Sequence, residues 1–163
     1  MTDLAPIPPL VHELTVAAGP THAFTTWVER AALWWPAGHT VSGGPVAVVF
    51  EPRVGGRVFE RGADGAEHVW GEVLGWDPPH RLELLWHLFF PRSEATHVVV
   101  TFTAEGAATR VRIEQTGWDA LGAAGPVRRE RTQAGWAATT VGYRDLLANE
   151  HPVCEESGGV AGP

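Results

Sequence analysis

Residues 67–118 carry the clearest structural pattern of the chain, and they read EHVWGEVLGWDPPHRLELLWHLFFPRSEATHVVVTFTAEGAATRVRIEQTGW. Three runs within them are rich in β-branched, aromatic and aliphatic residues, as strands are. The first two runs are joined by Asp77-Pro78-Pro79-His80, where strand pairing must stop because proline has no N–H to donate. Connections this short make successive strands antiparallel neighbours. The pattern therefore predicts an antiparallel sheet that holds many of the chain's eight tryptophans.

The rest of the chain adds a first strand, further strands and three helices. Helical segments repeat apolar residues every three or four positions, whereas strand segments are short and end at Gly, Pro or charged residues. The predicted order is a strand over 10–16, helices over 20–29 and 33–35, strands over 46–50, 56–61, 68–76, 81–88, 96–103 and 109–116, and a helix over 129–147. These α+β elements bury their apolar faces most economically as a curved antiparallel sheet of about six or seven strands wrapped around the long last helix.

Length and composition favour one globular domain. With 163 residues and 44% apolar content, the chain is large enough for a single core, which is predicted over residues 10–148. Residues 1–9 include Pro6, Pro8 and Pro9 and are expected to form an extended leader. Residues 149–163 contain too little apolar content to fold and are expected to form a flexible tail.

Charge, hydropathy and cysteine content exclude several classes of function. A formal net charge of −7 leaves no field that would attract phosphate backbones, so nucleic acid is not an expected partner. No stretch approaches the roughly 18 apolar residues of a membrane span, and the first residues lack a signal pattern, so the expected location is cytoplasmic, away from membranes. Cys154 is the single cysteine, which excludes an internal disulfide and a thiolate metal cluster. A homodimer is a further expectation, because two-fold dimers are the commonest assemblies.

Side chains alternate along a strand, so each predicted strand has two faces. The aromatic face is expected to point inward, toward the last helix. Its predicted members are Trp70, Glu72, Trp86, Phe102 and Gln115 on the strands, Trp136, Thr140 and Tyr143 on the helix, and Trp34 and Trp35 at one end. Pairing of Trp76 with Leu82 across the turn would place Glu72 near Trp86, whereas a one-residue bulge would reverse this parity.

Two interpretations of the inner face remain open, a filled core and a lined cavity. Each tryptophan can bury roughly 150–250 Å² in a core. An empty hole of about 300 Å³ would cost roughly 7 kcal/mol at about 24 cal/mol per Å³, which is comparable to the stability of a whole domain. A real cavity must therefore be wet, narrow or occupied. Glu72 and Gln115 are the polar exceptions that a hydrated or ligand-binding cavity would need.

Several pieces of the sequence, in a fixed order, resemble a known superfamily. They are Glu51-Pro52-Arg53-Val54-Gly55-Gly56-Arg57, Gly71-Glu72-Val73-Leu74, Asp77-Pro78-Pro79-His80-Arg81-Leu82, Leu84-Leu85-Trp86, Ala108-Thr109-Arg110-Val111-Arg112-Ile113, Thr116-Gly117-Trp118 and Gly135-Trp136. Over residues 10–147 they resemble the START-like (SRPBCC) helix-grip superfamily, and within it the AHSA-type family, named for homologues of the C-terminal domain of a chaperone ATPase activator. The resemblance implies a helix-grip fold with a hydrophobic cavity. Gln115 departs from the pattern, since many relatives of this type carry a histidine there.

Three functions follow from the inner face and the resemblance. The first is non-catalytic binding of a small apolar or aromatic molecule in the cavity, where the predicted inner residues would contact it. The second is a cyclase-like enzyme, as some superfamily relatives are, with Glu72 as its acid or base. The third is a chaperone-type protein-interaction module, although the activator's N-terminal domain has no counterpart in this sequence. No cofactor or metal is expected, because His87 and His97 flank one loop without a third ligand and no phosphate-binding loop or nucleophile elbow is present.

Overall fold

The computed structural model describes residues 6–150, and a seven-stranded antiparallel sheet is its main layer. The strands are β1 Leu10–Val16, β2 Ala47–Phe50, β3 Arg57–Arg61, β4 Glu67–Asp77, β5 Arg81–Trp86, β6 Thr96–Glu105 and β7 Ala108–Thr116. Their order across the sheet is β1-β7-β6-β5-β4-β3-β2. The sheet curls into a half-barrel, so the predicted curved antiparallel sheet is confirmed.

Three α-helices complete the α+β fold: α1 Pro20–Glu29, α2 Ala31–Trp34 and α3 Gly125–Glu150. Pro20 suits the first turn of α1, where its missing N–H has no intrahelical partner in any case. α3 buries Trp136, Tyr143 and Leu147 in the same core as the inner face of the sheet. The sheet therefore grips the long C-terminal helix, as the helix-grip expectation requires. None of the helices within residues 6–150 combines the length and apolar content that a bilayer crossing requires.

The strands on one side of the sheet follow the predicted alternation. Val98, Val100 and Phe102 of β6 are buried, as are Val111, Ile113 and Gln115 of β7 and Leu82, Leu84 and Trp86 of β5. These residues form the inner face toward α3. Simple alternation was therefore sufficient to orient β5, β6 and β7.

Strand β4 departs from simple alternation because it is bulged. Trp76 pairs with Leu82 as predicted, but the register shifts between Val73 and Gly75. Beyond this shift Val73 pairs with Leu84 and both are buried, so Glu72, which pairs with Leu85, lies on the opposite, outer face. The prediction that Glu72 points inward is therefore wrong, and the one-residue bulge is the physical reason.

The two ends of the predicted domain differ from expectation in detail. Residues 6–9 have no regular secondary structure, yet Arg129 of α3 donates hydrogen bonds to the carbonyl oxygens of Pro8 and Pro9, both at 2.8 Å. α3 extends beyond its predicted limits and continues to Glu150, two residues into the predicted tail. Residues 1–5 of the predicted leader and residues 151–163 of the predicted tail, including Cys154, lie outside the described residues.

Candidate binding cavity

An open cavity of about 520 Å³ lies between the first half of α3, the end of β5 and the segment after α2. Small-molecule pockets typically measure about 300–1,000 Å³, so its size suits a small ligand. The cavity is lined by Trp35, His39, Trp86, Leu88, Phe89, Phe90, Ala124, Val127, Arg128, Arg131, Thr132, Gly135, Trp136 and Thr139. A smaller cavity of about 40 Å³ shares Trp86, Arg128 and Thr132 with it and reaches Gln115 and Glu94.

Three indole rings form the inner wall of the larger cavity. The ring centroids of Trp86 and Trp136 are 5.8 Å apart, and Trp35 lies 6.0 Å from Trp86 and 5.9 Å from Trp136. Each belongs to a different element: Trp35 directly follows α2, Trp86 ends β5, and Trp136 is in α3. Aromatic pairs at about 4.5–7 Å attract one another beyond simple burial, so the three rings brace the three elements against each other.

Hydrogen bonds fix the orientation of two of these rings. The Trp136 indole N–H donates to Gln115 Oε1 at 2.8 Å, and the Gln115 amide nitrogen donates to Thr96 Oγ1 at 2.7 Å. The Trp35 indole N–H donates to the carbonyl oxygen of His39 at 3.0 Å. Gln115 is buried and lies behind Trp136, so it positions the wall of the larger cavity while lining the smaller one.

Behind the wall, Trp70 is held by a buried carboxylate that sequence analysis missed. Trp70 contacts Trp35 and Trp86, with ring centroids 4.9 and 5.9 Å away. Its indole N–H donates to Glu60 Oε1 at 2.8 Å. The Glu60 carboxylate also accepts the backbone N–H groups of Val41 at 2.6 Å and Ser42 at 2.8 Å.

The protonation state of Glu60 follows from competing effects. Complete burial disfavours its charge and by itself raises the pKa. The hydrogen bonds from Ser42, Val41 and Trp70 outweigh burial and bring the pKa below its ordinary value. Glu60 is therefore an ionised, fully paired group that anchors Trp70 and does not face the cavity.

The face of α3 that borders the cavity has the spacing of a single helical stripe. Arg128, Thr132, Gly135, Trp136 and Thr139 recur at intervals of three and four residues, with Arg131 beside them. The predicted helix began at Arg129 and its core face was traced forward from Trp136, so this N-terminal part was missed. Following the same periodicity backward from Trp136 would have found it.

Gly135 leaves open space in this stripe. A Cβ atom at Gly135 would meet no heavy atom within 4 Å, whereas one at Gly142, seven residues later, would lie 2.6 Å from the Trp34 carbonyl oxygen. Packing against α2 therefore requires glycine at position 142 but not at position 135. Glycine inside a helix costs about 1 kcal/mol relative to alanine. At position 135 the absence of a side chain leaves the cavity wide.

Exposed apolar residues surround the mouth of the cavity. Phe89 is 55% exposed, Phe90 39% and Val127 52%. Phe89 has a φ of 75°, a left-handed conformation that a bulky residue rarely adopts. Apolar residues gathered around an opening are typical of a surface that receives a ligand.

Two arginines and no carboxylates lie in the wall of the larger cavity. Arg128 Nη2 donates to Glu94 Oε1 at 2.8 Å, and the guanidinium carbon lies 3.6 Å from the centroid of the Phe90 ring. Arg131 is the second arginine and His39 adds an imidazole opposite the helix. The wall thus combines aromatic surface with the permanent positive charge of two arginines.

The predicted contact residues divide into three groups. Trp35, Trp86 and Trp136 line the larger cavity, and Gln115 lines the smaller one. The second group is buried in the core and consists of Trp34, Trp70, Phe102, Thr140 and Tyr143. Glu72 stands alone: it lies on the outer face and accepts a hydrogen bond from Arg92 at 2.7 Å.

The core group is held by its own contacts. The Tyr143 hydroxyl donates to the carbonyl oxygen of Ala23 at 2.7 Å, and burial raises the pKa of this phenol. The Trp34 indole donates to the carbonyl oxygen of Thr26 at 3.1 Å. The Thr140 hydroxyl donates to the carbonyl oxygen of Trp136 at 2.8 Å. For these side chains the filled-core interpretation is the one the structure supports.

Metal binding finds no support in the described part of the chain. Within residues 6–150, no three His, Cys, Asp or Glu side chains converge closely enough to hold an ion. His97 instead contacts Glu83 at 2.5 Å, and the ring of His87 contacts the carbonyl oxygen of Phe90 at 3.0 Å.

Comparison with known proteins agrees with this architecture. The family model described as "Activator of Hsp90 ATPase homolog 1-like protein" matches residues 17–143. No curated protein matches the chain.

Among solved structures, the anthrahydroquino-γ-pyrone synthase Txn09 is 29% identical, with 87% of this chain and 98% of that chain covered and a TM-score of 0.61. CalC, a self-sacrificing resistance protein from Micromonospora echinospora, is 30% identical, with 90% and 97% covered and a TM-score of 0.71. DynU16, from the dynemicin biosynthetic locus, is 18% identical, with 90% of this chain and 49% of that chain covered and a TM-score of 0.67. DynU16 is similar in fold alone.

Proposed function

Since this chain belongs to the family of Activator of Hsp90 ATPase homolog 1-like proteins, within the SRPBCC superfamily, we propose that it binds a small aromatic molecule in the cavity between its sheet and α3. The observation that carries this proposal is the wall of three indole rings, Trp35, Trp86 and Trp136, which faces an open space of about 520 Å³. A flat apolar molecule would bury its faces against these rings. Each aromatic contact contributes about 0.5–1.5 kcal/mol beyond the burial of apolar area.

One solved relative supports an aromatic ligand. Txn09 is named as a synthase of an anthrahydroquino-γ-pyrone, a compound of fused rings, and it shares 29% of its residues with this chain. CalC, at 30% identity, is named as a resistance protein, which shows that relatives this similar can serve as something other than synthases. A synthase must bind the molecule that it converts, so binding is the part of the Txn09 role that we carry over to this cavity.

Gly135 provides a direct test, because a side chain there would fill the cavity without disturbing the packing of α3. We expect Gly135→Leu to reduce the affinity for N-phenyl-1-naphthylamine, an uncharged aromatic probe, by at least about tenfold. The thermal midpoint should not fall, since leucine favours the helix by up to about 1 kcal/mol over glycine. Affinity is measured from the rise in probe fluorescence, and the midpoint from circular dichroism.

Ala137→Leu is the matched control, because Ala137 is exposed on the same helix and does not line the cavity. The control should bind the probe as the unsubstituted protein does. If the unsubstituted protein fails to bind the probe, or if both leucine variants weaken binding equally, the proposed site is wrong.

A second candidate function is ring closure on the bound molecule, favoured by the likeness to Txn09 and by His39 in the cavity wall. Imidazole is the commonest side chain for proton transfer in catalysis. His39 could take the proton from a hydroxyl as its oxygen adds to a ketone carbonyl and pass that proton to the carbonyl oxygen, which then leaves as water together with a second proton from the carbon between the two carbonyls. Glu72 cannot do so from the outer face. His39→Gln should abolish pyrone formation from a hydroxyaryl 1,3-diketone, although the folded variant still binds the probe; equal turnover in the variant, measured by chromatography, would remove this candidate.

A further inference from the structure

We propose that the molecule bound in the cavity carries an anionic group, such as a carboxylate or an ionised phenol, and that Arg128 and Arg131 bind this group. The inference rests on the proposed function, since it names the chemical class of the ligand for the same cavity. Two observations support it: the hydrogen-bond partners that the two arginines have or lack, and the charges around them.

The guanidinium of Arg128 is held in place but only partly used. One face stacks on Phe90 at 3.6 Å, and Nη2 donates to Glu94 at 2.8 Å. Nη1 is buried and has no hydrogen-bond partner within the described part of the chain. A buried polar group without a partner is costly, and a charged one more so, which is why native proteins nearly always pair such groups. A ligand anion beside the guanidinium would compensate for this missing partner.

Arg131 also stands out among the arginines. It lines the cavity one helical turn from Arg128 and forms neither an ion pair nor a hydrogen bond with any residue between 6 and 150. Every other arginine has an acidic partner or, as Arg129 does, backbone carbonyl acceptors. The arginine with a buried, unpartnered Nη1 and the arginine without a partner among residues 6–150 therefore lie in the same wall.

The surroundings favour a negative guest over a neutral one. The chain carries 19 acidic against 12 basic residues, yet no carboxylate lines the larger cavity. Glu94 reaches only the smaller cavity and occupies one side of Arg128. Guanidinium groups present their N–H donors in a planar fork that matches a carboxylate, and such charge-assisted hydrogen bonds are about twice as strong as neutral ones.

A purely structural role would account for less of this arrangement. The Arg128–Glu94 ion pair is partly exposed, with Glu94 at 42% side-chain exposure, and such pairs contribute little to stability. It also uses one of the five N–H donors of Arg128. Arg131 is exposed and has no partner among residues 6–150, so no contact within that range accounts for its place in the wall.

Two probes that differ by one sulfonate group test the proposal. 8-Anilino-1-naphthalenesulfonate and N-phenyl-1-naphthylamine share one ring system, and the first adds a sulfonate. We expect the protein to bind the sulfonate probe about tenfold more tightly, as expected for two charge-assisted contacts. Arg128→Met and Arg131→Met should each reduce this preference about threefold, because each removes one of the two contacts. A higher salt concentration should weaken the binding of the sulfonate probe and leave the binding of the uncharged probe unchanged.

The controls separate this inference from the proposed function. Arg144→Met removes an arginine that pairs with Asp145 and does not line the cavity, so it should change neither affinity. Arg131→Met keeps the test decisive if Arg128→Met unfolds, because Arg131 is exposed. If the uncharged probe binds and Gly135→Leu blocks it, but the sulfonate gives no preference or the arginine variants do not alter it, the anionic ligand is wrong and the aromatic site stands. If neither probe binds, both proposals are wrong.

Discussion

Glu60 accepts the indole hydrogen of Trp70 at 2.8 Å, in a place where neither side chain contacts solvent. The same carboxylate holds the backbone of Val41 and Ser42, which follow the segment that carries Trp35. Since Trp70 packs directly against Trp35 and Trp86, this one acidic group fixes the layer behind the cavity wall.

Replacing Glu60 by glutamine should destabilise the fold strongly. The variant keeps one acceptor oxygen but turns an NH₂ group toward N–H donors, so at least one buried donor loses its partner. We expect the free energy of unfolding to fall by about 3 kcal/mol, measured by urea denaturation at neutral pH. Glu29→Gln is the control, because Glu29 is exposed, and its stability should match that of the unsubstituted protein. Equal stability of both variants would mean that the Glu60 contacts contribute nothing.

The same carboxylate should make stability depend on pH. Its hydrogen bonds lower the pKa in the folded state, despite burial, so the stabilisation is complete above the ordinary value of 4.5 and is lost as the pH falls through the lower folded value. The difference in unfolding free energy between the unsubstituted protein and Glu60→Gln should therefore shrink on acidification. Urea titrations from neutral pH to below the ordinary value measure it. A constant difference would show that Glu60 does not titrate with a lowered pKa.

Tyr143 should remain protonated well into the alkaline range. Burial raises its pKa, and its hydroxyl donates to Ala23 rather than to solvent. Since it is the only tyrosine in the chain, tyrosinate absorbance near 295 nm reports this group alone. In urea the signal should rise near the ordinary pKa of about 10, whereas in the folded protein it should rise only on alkaline unfolding. Titration near 10 with the circular dichroism unchanged would contradict the buried position.

Glu72 should be dispensable for both binding and stability. Its partner is Arg92 on the outer face, where both side chains are partly exposed, and such ion pairs contribute about 0–1 kcal/mol. We expect Glu72→Gln to leave the affinity for N-phenyl-1-naphthylamine unchanged and to shift the unfolding free energy by less than about 1 kcal/mol. A large loss of affinity would mean that the bulge in β4 is misplaced.

The sequence contained most of the fold because the strands follow simple rules. Period-two alternation oriented β5, β6 and β7 correctly, and the double proline marked the end of β4. The sequence could not predict which side chains of β4 point inward. A bulge depends on how the backbone pairs with both neighbouring strands, and the residue types at Gly71, Leu74 and Gly75 do not show where it lies. The error at Glu72 followed directly from that.

The candidate site was less predictable than the fold. The three wall tryptophans were found because large rings on an inner face either fill space or border it. Whether a given ring fills the core or borders the cavity depends on where α3 begins. In the structure α3 begins at Gly125, four residues before the predicted start. Glu60 was missed because its donors, Val41 and Ser42, lie in a loop whose path no periodicity describes.

The arrangement of Trp35, Trp86 and Trp136 has an optical consequence. Indoles this close exchange electronic excitation, so their near-ultraviolet dichroism should arise from the trio acting together rather than from isolated chromophores. A guest seated on these rings would alter that shared spectrum directly. Near-ultraviolet circular dichroism of the unlabelled protein should therefore report whether a ligand occupies the cavity.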